Sequence, residues 1–238
     1  MTCGESSSSS YAWVETTNVG DSDASCAPVV YVMKTNSGYD SDRNSCANAI
    51  DTMLSDVYNG GNGYIPGYQI NEYDIDLDLN CSKGLLEQLE CWRNQHDNGF
   101  NEPATYVAVH RCDESGASGG NAWDQSADAH ASGHPNRNLE RAATHEVLHT
   151  FIIHGKCDKV SGLTPSGGNE HNLGNAREIN GDRKFTPFAG VSDAEKGDCS
   201  VSDASSDWPD TLKASNCAKK AMRYSANHTF NGHYDNAC

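Results

Sequence analysis

The chain of 238 residues lacks any apolar run of about 18 residues, so no membrane span is expected. Its ten cysteines contain no CxxC pair, which argues against a cysteine-built zinc site. Internal repeats are absent too. Basic residues are scarce: 17 Lys plus Arg stand against 33 Asp plus Glu, a net charge of −16. Such a surface repels phosphate backbones, and no nucleic-acid partner is expected. The acidic residues are interspersed, as in DSDAS and NEYDIDLDLN, which reads as a solvated surface rather than a binding tail.

The opening MTCGESSSSS has neither the basic nor the apolar region of a secretory leader. Ten scattered cysteines nevertheless argue for an oxidising compartment, with up to five disulfides whose connectivity spacing does not reveal. The expectation is a secreted, extracellular mature form whose leader has been removed. Sequons at Asn80 and Asn227 fit that expectation.

Along the chain, the Ser-rich first dozen residues are expected to be mobile. PVVYVMKT, residues 28–35, reads as a buried strand. In the stretch 45–61, Ala47, Ile50, Met53, Leu54 and Val57 recur at helical spacing before a Gly pair. Residues 68–79 alternate as a strand with one wet face, which accounts for Asp74, Asp76 and Asp78. A helix over 82–99 is expected, with Ser82 as its cap, then a third strand over 104–112. Short edge strands are expected around 122–127, and a helix carrying LERAATHEVLHTFIIH from Asn138 onwards. Beyond Gly155 the chain is rich in Gly, Asn, Asp and Ser with little periodicity. The reading is an α+β subdomain over 1–154 and an irregular, disulfide-dependent subdomain over 155–238.

Within the last helix, HEVLH places His145 and His149 about 40° apart on one face. Neutral imidazoles suit zinc, and a catalytic zinc takes three protein ligands and leaves a position for water. Glu146 sits beside them as a general base for that water. Three residues compete as third ligand. His154 would be turned about 180° away on a continuing helix. Glu170 and His171 stand together in GGNEHNLG and can reach back from a loop; His171 is favoured. Glu170 follows His149 by 21 residues, near the interval used by thermolysin-like enzymes. His96, His110, His130, His134, His228 and His233 show no ligand spacing and read as surface or capping residues.

KAMRYSANH, residues 220–228, adds Met222 and, two residues on, Tyr224. With the HExxH helix, this order of elements resembles the metzincin zinc endopeptidases. The resemblance implies a twisted, mostly parallel sheet with two or three helices, then a lobe carrying the third ligand and a methionine turn. It implies that Met222 floors the site and that Tyr224 ligates zinc at rest or stabilises the oxyanion. The standard HExxHxxGxxH pattern would need Gly at 152 and His at 155, where this chain has Ile152 and Gly155.

The function expected from these features is a monomeric, secreted zinc endopeptidase acting on protein or peptide substrates. His145, His149 and His171 hold one catalytic Zn2+, Glu146 is the base, and Tyr224 assists. The substrate is expected along an edge strand near Gly119 to Ala127. The competing expectation is a disulfide-rich secreted binding protein with a structural or inactive zinc site.

Overall fold

A computed structural model of the chain describes residues 10–96, 100–114, 116–164, 170–173, 176–180, 182–188 and 210–230. The architecture is α+β. A six-stranded mixed sheet contains β1 (Tyr11–Gly20), β2 (Val29–Lys34), β3 (Gly67–Ile75), β4 (Ala104–His110), β5 (Gly116–Gly119) and β6 (Ser126–Ser132). Their spatial order is β1-β3-β2-β4-β6-β5. The four inner strands run parallel, and β1 and β5 are antiparallel edges. Helices α1 (Asp40–Tyr58), α2 (Leu85–Gln95), α3 (Leu139–Phe151), α4 (Asp158–Ser161) and α5 (Asn216–Thr229) complete it, with a separate hairpin of β7 (Ala176–Ile179) and β8 (Asp182–Phe185).

Successive strand side chains point to opposite faces, so a strand covered on both sides reads as a continuous apolar run. In β2, Val30 and Val32 join Ile50, Met53 and Leu54 of α1 on one face. Tyr31 and Met33 join Leu89 and Trp92 of α2 on the other. β6 follows a different rule. Its Ala127, Ala129 and Ala131 lie in the same core cluster as Val147 and Leu148 of α3. Three small side chains let that helix approach the sheet closely. The alternate positions carry Asp128 and His130, both buried. Expected as an edge, this strand is interior, because β5 pairs outside it.

Other boundaries moved for local reasons. Residues 11 and 12, expected to be mobile, begin β1, which pairs with β3 through a bulge between Trp13 and Glu15. α1 starts at Asp40 rather than Ser45, because the Asp42 carboxylate accepts the Tyr39 N–H at 3.1 Å and supplies acid to the first turn. α2 starts after Gly84 rather than Ser82. There the Asn80 side chain takes the Ser82 N–H at 3.0 Å and closes a turn before the helix begins.

Cys81 and Cys112 form a disulfide, tying the approach to α2 to the end of β4, and Cys91, Cys157 and Cys217 are also disulfide-bonded. One core cluster runs across residues 154 and 155, joining Val147 and Phe151 to Val160, Leu173, Phe188 and Met222. Asn227, the second sequon's asparagine, is fully buried in α5. Among the described residues, no helix is long and apolar enough to cross a membrane.

Candidate metal centre

α3 begins at Asn138, whose side chain accepts the Arg141 N–H at 3.1 Å, as its place after Pro135 suggests. Its other end has no glycine. Instead, the Thr150 carbonyl accepts from the Ala122 N–H at 2.9 Å, and the Phe151 carbonyl accepts from Trp123 Nε1 at 2.7 Å. These bonds take up helix-end carbonyls that would otherwise lack partners. Ile152 is extended, and the Ile153 N–H donates to Ser225 Oγ of α5 at 2.9 Å. The helix therefore stops two residues after His149, and Gly155, with φ +79, turns the chain back.

His171 arrives from a 3₁₀ turn over Glu170–Asn172. Leu173, just beyond it, is fully buried, and its carbonyl accepts the hydroxyl of Ser215, the cap residue of α5. That anchor brings His171 to the face presented by α3. His149 Nε2 lies 3.0 Å from His145 Nε2 and 3.0 Å from His171 Nε2. The three residues together can hold a metal ion, with one ligand atom each inside a 4.8 Å cluster. Phe188 packs edge-on to all three rings, at centroid distances of 5.4, 4.9 and 6.2 Å.

The rear nitrogens decide which atoms face the centre. His145 Nδ1 is 2.8 Å from the Pro187 carbonyl, which can only accept, so Nδ1 carries the hydrogen. His149 Nδ1 lies 3.3 Å from Glu170 Oε1. That bond holds the Glu170 carboxyl down to about 2, so it stays ionised and accepts. Both imidazoles are thereby fixed with bare Nε2 lone pairs directed at one another. Two lone pairs 3.0 Å apart repel unless a cation lies between them, and this is the arrangement metal-binding histidines adopt. Burial, chiefly, pushes His145 down to about 4, keeping it neutral as a ligand must be.

The competing third ligands are both accounted for. Glu170 stands behind His149 rather than in the ligand cluster. His154 follows the helix end, pairs weakly with the same carboxylate at 4.0 Å, and contacts Thr164 Oγ1 at 3.3 Å.

Glu146 lies beside the cluster, in a cleft of about 650 Å³ also lined by Ser118, Gly119, Gly120 and Ile152. Its Oε2 accepts from Ser118 Oγ at 2.7 Å. Burial raises its pKa, opposed by the Ser118 hydrogen bond and by His149. Met222 and Tyr224 lie within helix α5, not in a turn. Met222 is fully buried in the core, and it is Phe188 whose ring lies against the three imidazoles. Tyr224 is partly buried, with Lys159 Nζ 5.6 Å from its ring, and is not among the described residues lining the cleft.

Three contributors were not legible in the sequence. Pro187 and Phe188 belong to no motif, and Ser118, though it is the serine of a GxSxG string over 116–120, stands on an edge strand rather than on the strand-to-helix turn of a nucleophile elbow. His110 and His130, expected at the surface or as caps, are 0% and 3% exposed and hydrogen-bonded to each other at 2.9 Å. The alternation in SADAHAS was the available signal for His130: alanines on one face of a strand leave the histidine on the other. Compared with known proteins, the chain matches no protein-family model and no curated protein sequence.

Proposed function

We propose that the protein is a zinc-dependent endopeptidase. The observation that carries this reading is the meeting of His145, His149 and His171 Nε2 atoms in a cleft that also holds the Glu146 carboxylate. Zinc–nitrogen bonds of about 2.0–2.1 Å at tetrahedral angles would put two ligand nitrogens about 3.3–3.4 Å apart, a few tenths of an ångström beyond the 3.0 Å separations here. All-imidazole donors with carboxylate and carbonyl support suit zinc over calcium or magnesium, which prefer oxygen. His145, His149 and His171 would hold the ion, which would supply Lewis acidity for hydrolysis of a peptide bond.

The chain's own residues supply the remainder. Glu146 accepts the water's proton on its carboxylate and returns it to the departing amine nitrogen. Burial of Glu146 favours that exchange, because a desolvated carboxylate takes up a proton more readily than one in water. An extended peptide would add to the open edge of β5, where Gly119 and Gly120 leave the backbone accessible beside the cleft. The Cys81–Cys112 disulfide and the bonded Cys91, Cys157 and Cys217 support an extracellular setting.

Membership of the metzincins is part of the same proposal. It draws on the mixed α+β sheet, the HExxH helix and a third histidine further along, while helical Met222 departs from that pattern. Tyr224 receives no role here.

Metal analysis of the purified protein, paired with casein cleavage with and without chelator, tests the reading. One zinc per chain and chelator-sensitive cleavage are expected. Glu146→Gln should keep the metal and lose roughly 10²–10⁴-fold in cleavage. Full activity in that variant refutes the role. Stoichiometric metal without cleavage by the wild-type protein favours the binding-protein alternative.

A further inference from the structure

We infer that β5 is a positioning device for Glu146, in which the Ser118 hydroxyl holds the carboxylate and Gly116 makes room for its stem. The inference rests on the endopeptidase reading for its kinetic consequence, but not for its geometry.

Gly116 and Ser118 are two apart on one strand, so they project from the same face of β5. Ser118 Oγ donates to Glu146 Oε2 at 2.7 Å, a charge-assisted bond in the strong range. A Cβ at position 116 would stand 3.0 Å from Glu146 Cγ and 3.2 Å from Oε1. It would also meet the His130 carbonyl at 2.8 Å, a backbone atom that does not move easily. The strand thus contacts Glu146 at both ends of its side chain, with an absence at one and a donor at the other.

A glutamate has three side-chain torsions, and a helix fixes only the first closely. His145 and His149 are each pinned by a rear hydrogen bond, to Pro187 and Glu170. Ser118 does for Glu146 what those partners do for the histidines. Unlike them, it comes from the sheet edge proposed to receive the peptide. One short strand would therefore set both the substrate backbone and the base that serves it, so errors in their relative placement are small. Misplacing a reacting group by about 1 Å can cost a large factor in rate, which is the benefit of linking the two.

The test uses the full, metal-loaded protein as wild type, Ser118→Ala, Ser118→Cys and Ser118→Thr, each also combined with Glu146→Gln. Ser118→Ala should keep its metal and its KM while kcat falls about tenfold, the value of one hydrogen bond to a charged group. Ser118→Cys, similar in volume but a weak donor, should follow Ser118→Ala. Ser118→Thr keeps the hydroxyl and should recover most of the rate. On the Glu146→Gln background, removing the Ser118 hydroxyl should cost nothing further. Unchanged kcat in metal-bound Ser118→Ala, or an equal loss in both backgrounds, overturns the inference and leaves the endopeptidase reading standing.

A second arm needs no activity. Crystal structures of the metal-loaded wild type and Ser118→Ala should show the Glu146 carboxylate held in the first and displaced or split in the second. A carboxylate that does not move sinks the inference. If the wild type binds metal yet cleaves nothing, the functional reading fails by itself, and this arm still decides the role of Ser118.

Discussion

Two groups of histidines in one chain use opposite hydrogen-bond logic. His110 and His130, on neighbouring parallel strands, are sealed in the sheet and satisfy each other. His110 Nδ1 accepts the Cys112 N–H at 3.0 Å, which places its hydrogen on Nε2, and that hydrogen goes to His130 Nδ1 at 2.9 Å. Every nitrogen in that contact has a partner of the right kind. His145, His149 and His171 are only partly buried, and the first two turn Nε2 lone pairs toward the point where the three rings meet. What separates a sealed histidine from one able to take a metal ion is therefore the direction of its hydrogen. That direction is set by whichever group stands behind the ring.

Breaking the open group should have the largest effect. His149→Ala removes the nitrogen that lies 3.0 Å from Nε2 of both His145 and His171, and stoichiometric metal should be lost, as read by metal analysis after dialysis. The equivalent change at His130 should leave metal content unaltered. If His149→Ala retains one equivalent of metal, the contrast between the groups disappears.

Glu170→Gln sharpens the comparison at the next level. It keeps the shape behind His149 but removes the charge that orders its Nδ1–H. Metal affinity should fall by about 10–100-fold, measured by competition with a chromogenic chelator. No change would mean that the carboxylate is a bystander.

The sealed pair should speak through stability. His130→Ala leaves the Nε2–H of His110 without its acceptor and should cost about 1–3 kcal/mol in denaturant unfolding, with normal metal content. The smallest effect concerns pH. Burial first, and His130 next, push His110 down to about 3; burial also lowers His130. An unfolded histidine titrates near pH 6.5, as a rough reference, so between there and pH 3 the unfolded chain binds more protons. Stability from the neutral pair is thus whole above that reference and is lost as pH falls toward 3. In metal-free protein, His110→Gln should show a shallower loss of stability across that interval than wild type. An identical slope would mean that the pair does not titrate with folding.

Much of this was legible from residue patterns. The strands around Val32 and Val107 announce themselves as apolar runs, because central parallel strands are covered on both faces. The HExxH spacing is a local consequence of helix geometry, so His145, Glu146 and His149 could be placed together on one helix without the fold. β6 was harder to read, because SADAHAS covers its core face with alanine and carries no strong apolar signal. Helix α5 was obscured by the likeness of Met222 and Tyr224 to a methionine turn, although both residues lie within the helix.

Sequence alone determined the helical pair of imidazoles, the glutamate between them, the α+β alternation and the acidic surface, because each follows from near-neighbour geometry or composition. Only the tertiary structure brings His171, rather than His154 or Glu170, into one cluster with His145 and His149. It did so by ending α3 through bonds from Ala122 and Trp123, which removed His154 from the helix, and by anchoring Leu173 to the cap of α5. Those partners are distant along the chain, and no local pattern encodes a distance that folding alone closes.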